Sequence, residues 1–251
     1  MTKTYIALDA EFCWDEHLFE AHRAIDRKSE RRAVAVKRVM AAAVFQFTID
    51  DEGRVSTGEI GSWSERDWGD EEGVVSQLFD YLRANDDKPV LTYGGLAVDV
   101  PILLLASMTH GQRLPPQLID LPGRRGPRPH LDLGLMLKGG GRTWTHLSQV
   151  LLRMGVPAVL VAAKAEVSRP STSQEWQGLR SHVELDCLLL AIAKVGWLVA
   201  QGTAGLRLEP ALIALVEGFL RRRPDHLLAG ELRAYADSLH SIIADGFDNA
   251  A

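Results

Sequence analysis

The sequence predicts a mixed α/β fold in which three antiparallel strands come first and parallel strands alternating with helices follow, flanked by helices and extended by more at the C-terminus. Three observations carry this. The segment Tyr5 to Phe12 is an apolar run with no turn residue until its end, the pattern of a strand buried on both faces. Met40 to Ile49 is apolar and partly β-branched or aromatic, and Asp50, Asp51, Glu52 and Gly53 turn it into Arg54 to Trp63, which reads as a hairpin. From Gly73 onward helical spacing alternates with short apolar runs, as in a sheet completed by parallel strands.

The elements follow in order. Cys13 to Arg38 holds seven Lys and Arg residues and few strong turn residues, and is expected to be a helix or a mobile arm. Gly73 to Ala84 places Val74, Val75, Leu78, Tyr81 and Leu82 at helical spacing behind an acidic first turn. Pro89 to Tyr93 is a short strand closed by Gly94 and Gly95, and Ile102 to Met108 continues as a helix, with Asp99 near its start and Pro101 tolerated in its first turn. Leu114 to Pro129 carries five prolines and reads as a loop, and His130 to Leu137 reads as a last strand. A helix is expected over Thr143 to Met154, no clear pattern over Pro157 to Thr172, and a long helix over Glu175 to Ala200. Helices around Pro210 to Arg222 and His226 to Ala244 close the chain. A domain of residues 1–200 with a helical extension of residues 201–251 packed on it is the expected organisation.

Composition narrows the class. In 251 residues, 46% hydrophobic content can build a sizeable core, and 7% aromatic content without low-complexity tracts argues against disorder. No apolar stretch reaches membrane-span length and no signal segment precedes the first strand, so a cytoplasmic protein without a membrane partner is expected. Cys13 and Cys187 are too few for a disulfide scaffold or a thiolate zinc site and read as small buried residues. A net charge of −5 gives no global attraction to polyanions, so binding nucleic acid would need a local basic patch or metal ions.

The chemistry-bearing residues are acids. Asp9 and Glu11 stand two apart at the end of the first strand, so they project from one face while Ile6 and Leu8 pack behind. Asp99 falls at a strand-to-helix turn and Asp186 on the long late helix. Open α/β sheets gather ligands beyond the carboxyl ends of their strands, where these acids can converge. Oxygen ligands so crowded suit Mg²⁺ or Mn²⁺ rather than zinc. Two such ions about 3.5 to 4 Å apart can activate water and stabilise the leaving oxygen in phosphodiester hydrolysis.

On these motifs the sequence resembles the DEDD superfamily of 3′-to-5′ exonucleases on the ribonuclease H-like fold, in particular the predicted exonucleases related to the proofreading domain of family B DNA polymerases. The resemblance spans roughly residues 4 to 200. It rests on Leu8 to Phe12, on Tyr93 to Leu103 with Asp99 and Pro101, on Asp132 to Leu137 before a glycine-rich loop, and on His182 to Asp186. It implies Asp9, Glu11, Asp99 and Asp186 as ligands of two Mg²⁺ or Mn²⁺ ions, acting on single-stranded nucleic acid ends with DNA favoured over RNA. His182, one helical turn before Asp186, is either the general base or a ring that fills the tyrosine's place without proton transfer. A catalytically silent binding member of the fold and an RNA-trimming exoribonuclease are the alternatives. Two features depart from the family pattern: Gly94 and Val98 stand where Asn and Phe are usual, and His182 stands at the spacing where tyrosine is usual.

Three further groups bear on the site. Glu184 faces roughly away from His182 and Asp186 on a helix and is expected to be a solvated surface acid. Phe12 can stack on a terminal base or pack in the core. Lys28, Arg31 and Arg32, within the basic stretch after the first strand, are candidate contacts for a single strand at the rim of the acidic site.

Overall fold

The computed structural model describes residues 2–25, 33–119, 129–162 and 169–248, the side chains of 246–248 excepted. Its centre is a five-stranded sheet in the order β3-β2-β1-β4-β5. The strands are β1 (Lys3–Trp14), β2 (Lys37–Ile49), β3 (Val55–Ser64), β4 (Val90–Thr92) and β5 (His130–Asp132). The first three pair antiparallel; β1 to β4 and β4 to β5 are parallel. The helices are α1 (Glu16–Ile25), α2 (Glu65–Trp68), α3 (Glu71–Ala84), α4 (Asp99–His110), α5 (Leu133–Lys138), α6 (Leu147–Arg153), α7 (Ser173–Ala200), α8 (Leu208–Arg222) and α9 (Ala229–Asp248). Among the described residues no helix is long and apolar enough to cross a membrane.

Alternation along β1 divides the core. Ile6, Leu8 and Ala10 join Val44, Leu78, Phe79 and Ile102 on one face, whereas Tyr5 and Ala7 join Phe45, Leu188 and Phe219 on the other. The second face carries α7. Opposite Asp9 and Glu11, β2 presents Ala43 and Ala41, small residues that let the helix approach closely. The approach is close enough for the Cys187 Sγ–H to reach the Ala43 carbonyl at 3.2 Å. Helices α8 and α9 cover the same face, with Phe219 edge-on to Phe45 at 5.9 Å between ring centroids. Leu232, Tyr235 and Leu239 of α9 belong to this cluster.

Local signals set the boundaries. In the β2–β3 turn the Asp50 carboxylate accepts from the backbone of Glu52 and Arg54, both at 2.9 Å, and Gly53 takes a positive φ of 79°. A side chain at Gly53 would collide with the Gly205 backbone, so glycine is what lets the α7–α8 connection close over the hairpin. Helix α7 starts at Ser173, two residues before the expected start, because Thr172 and Glu175 form a reciprocal capping box.

Three expectations need correction. The stretch Cys13 to Arg38 is neither one helix nor one arm in its described parts: β1 runs on to Trp14, α1 follows, and β2 begins at Lys37, while residues 26–32 lie outside the described ones. The segment His130 to Leu137 is not one strand, since β5 ends at Asp132, whose carboxylate caps α5 by accepting from the Leu135 amide at 3.1 Å. The helix expected from Thr143 starts only at Leu147, where Gln149 folds back on the His146 amide at 3.0 Å.

Candidate active site

The carboxyl end of β1 turns Asp9 and Glu11 toward α7, on the same face as Tyr5 and Ala7. The pairing of β1 with β2 shifts register between Glu11 and Phe12, directly after the second acid, and then continues to Trp14. Glu11 is buried and Asp9 half-buried.

From α7, His182 and Asp186 stand one turn apart on one side. The His182 Nε2 lies 3.5 Å from the Glu11 Oε1 and 3.5 Å from the Asp186 Oδ2. Glu11, His182 and Asp186 each offer a ligand atom, all within 4.8 Å of one another, so this group could hold a metal ion. Cys187, the next residue, is fully buried, and burial together with the fields of Asp9 and Asp186 pushes its thiol well above the usual range. The thiol is committed inside the fold, donating to the Ala43 carbonyl.

Glu184 is not the solvated acid expected. It is 2% exposed, accepts from the Ser62 hydroxyl at 2.6 Å, and receives the Arg223 Nε at 3.0 Å on both oxygens. Helix α8 ends beside it and delivers the guanidinium, a contact between residues 39 positions apart that helical spacing alone does not reveal.

Asp99 reaches the cleft from the first turn of α4, directly after the β4–α4 loop. Asp132, at the end of β5, accepts from the Gly94 amide at 2.8 Å and the Leu96 amide at 2.9 Å, besides capping α5. One carboxylate thus ties the loop that leads into Asp99 to the neighbouring strand. Gly94 has φ of 76°, and a Cβ there would sit 2.9 Å from the Trp144 ring. The indole occupies the space a side chain would take.

These pieces enclose an open cleft of about 1030 Å³, and Asp9, Glu11, Asp99, His182 and Asp186 all line it. Phe12 does two things at once: it packs beside the Ile6 and Leu8 cluster and it lines the cleft. Lys28, Arg31 and Arg32 lie outside the described residues. Nearby, Lys37 holds its ammonium 5.2 Å from the Trp14 ring centroid and 5.9 Å from that of Phe12. Arg38 is committed within the fold, 3.5 Å from Asp15, 3.7 Å from Glu65 and 3.8 Å from Glu71.

The fold is similar to that of the family B DNA polymerase from the hyperthermophilic archaeon Pyrobaculum calidifontis, with a TM-score of 0.52 and 18% identity. The match covers 88% of this chain and 29% of the polymerase chain. Together with the mixed sheet flanked by helices, it makes the fold class α/β of the ribonuclease H-like kind. No protein-family model matches the chain, and no curated protein matches it.

The sequence alone assigns no role to Tyr93, Trp144 or Arg223, and places Asp132 only within a motif. Asp132 carries a usable signal, since an aspartate just before a short apolar segment is a helix cap.

Proposed function

We propose that the chain is a metal-dependent 3′-to-5′ exonuclease of the DEDD type that hydrolyses phosphodiester bonds at single-stranded nucleic acid ends, with DNA favoured over RNA. The observation that carries this is the meeting of Asp9, Glu11, Asp99, His182 and Asp186, brought from a strand, a strand-to-helix junction and a distant helix, in one cleft. Four carboxylates are an oxygen donor set for Mg²⁺ or Mn²⁺. The tight grouping of Glu11, His182 and Asp186 fits such an ion. The ribonuclease H-like fold shared with a DNA polymerase and the DEDD motif order point the same way.

In this reading Asp9, Glu11, Asp99 and Asp186 would hold two ions, which would lower the pKa of a water and stabilise charge on the scissile phosphate and the leaving 3′ oxygen. His182 takes the proton of the attacking water at Nε2 as general base. The carboxylates of Glu11 and Asp186 each lie 3.5 Å from that nitrogen. A water oxygen–phosphorus bond forms and the bond to the 3′ oxygen breaks, releasing a nucleoside 5′-monophosphate. Phe12 stacks on a base at the cleft, and Lys28, Arg31 and Arg32 guide the single-stranded tail. Residues 1–200 form the nuclease unit and residues 201–251 its helical extension.

The test is to incubate the pure protein with 5′-labelled single-stranded DNA or RNA, with Mn²⁺ or with EDTA, and to resolve the products. A ladder shortening one nucleotide at a time on DNA, abolished by EDTA, is the expected result. A ladder on RNA alone would make the chain an exoribonuclease. Binding without hydrolysis would make it a catalytically silent member of the fold.

A further inference from the structure

A second feature of the cleft is aromatic and lies on the wall that carries Asp99. Trp144 lines the cleft, and the edge of its indole is seated on two glycines: a Cβ would sit 2.9 Å from Cζ2 at Gly94 and 2.8 Å from it at Gly134. Tyr93 meets the indole edge-on, with centroids 6.3 Å apart and planes at 83°, and donates its hydroxyl to the Thr145 carbonyl. The ammonium of Lys138 lies 5.7 Å from the Trp144 ring centroid. Trp144 is only half-buried, so a large apolar ring is kept partly open to the cleft instead of being sunk in the core.

The packing has a consequence for position. Gly94 belongs to the loop that Asp132 fixes through the Gly94 and Leu96 amides, and that loop leads directly into Asp99. The indole is therefore referenced through one short rigid path to a carboxylate of the acidic site. A half-buried indole with a lysine ammonium over its ring, set in the same cleft as the carboxylates, is the chemistry that receives a nucleobase and its phosphate.

Resting on the exonuclease reading, we propose that Trp144 is the stacking platform for the 3′-terminal nucleobase, with Lys138 facing a phosphate of the same end. The platform positions the strand and takes no part in bond cleavage. Because every base has an aromatic face, it requires a base at the terminus without selecting which one.

The test is equilibrium binding in EDTA, where no hydrolysis occurs, of short oligothymidylates ending in a normal or an abasic 3′ nucleotide. The wild-type protein should bind the normal end roughly 5- to 150-fold more tightly, the range of one base stacked on an aromatic ring. Trp144→Leu should lose that discrimination while binding the abasic strand as the wild type does, and Trp144→Phe should retain most of it. Lys138→Gln should weaken both strands alike and flatten the salt dependence by about 0.7 of log-log slope. Should circular dichroism show that the leucine variant does not fold, Trp144→Met takes its place. An unchanged ratio between normal and abasic ends in the substituted protein overturns this inference alone, provided the wild type still shortens single strands with Mn²⁺. A wild type that neither binds nor shortens single strands overturns the exonuclease reading, and this inference with it.

Discussion

Two faces of α7 treat their carboxylates in opposite ways. On one, Glu184 is sealed against Ser62 and held by the Arg223 guanidinium at 3.0 Å on both oxygens. On the other, two residues along, Asp186 stands in the open cleft with Glu11 and the imidazole of His182 at 3.5 Å. A guanidinium is permanently charged and planar, so the first arrangement is a fixed lock between helices and sheet. The second arrangement instead gathers acids around an imidazole at an open cleft. The difference separates an acid locked inside the fold from acids gathered at an open cleft.

The largest effect expected from breaking the cleft side is loss of hydrolysis in Asp9→Asn or Asp99→Asn, with the far-ultraviolet circular dichroism of the parent retained. Relief of repulsion among the acids should leave the melting temperature without metal unchanged or raised. Nuclease rates equal to the parent's in either variant would remove these residues from the site. Next, His182→Ala should lower the rate roughly 10²- to 10⁴-fold at neutral pH. His182→Tyr should keep more activity, and full activity in the alanine variant would show that the ring only packs.

Breaking the locked side reads out differently. Arg223→Met leaves Glu184 buried against Ser62 without its cation and should cost about 3 to 5 kcal/mol of stability, measured by urea unfolding. A cost near zero would mean that Glu184 is neutralised or solvated by rearrangement.

The smallest effect concerns a third charge on the same helix. Lys194 is 3% exposed and lies over the Tyr5 ring, and burial pulls its ammonium down to about 8. Its folded value lies below the unfolded one, so its charged form destabilises the fold fully at pH values below about 8, and stability recovers as pH rises toward 10.5. Lys194→Met should therefore be more stable at pH 7 by up to ~3 kcal/mol, an advantage that fades across this interval. A difference independent of pH would place the ammonium in water.

Much of this architecture is legible in the sequence. The strand that carries Asp9 and Glu11, the turn at Asp50 to Gly53 and the long helix with His182 and Asp186 one turn apart are local patterns, written in periods of two and 3.6 residues. What escapes is non-local. Glu184 reads as a surface acid until α8 returns with Arg223 to cover it. The early end of β5 follows from Asp132 turning its carboxylate to three amides, two of them from a segment more than 30 residues earlier. Trp144 reads as an ordinary aromatic in a glycine-rich stretch, since only the folded chain brings Gly94 and Gly134 under its ring.

The central claim, that the cleft face of α7 and the carboxyl end of β1 form a divalent-cation site, is tested most directly by titrating Mn²⁺ into the folded protein and following it by calorimetry. Wild type and Asp80→Asn, which removes an acid exposed on the surface, should bind Mn²⁺ alike, whereas Asp9→Asn, Asp99→Asn and Asp186→Asn should each bind it more weakly. Equal Mn²⁺ binding by all five proteins would contradict the account.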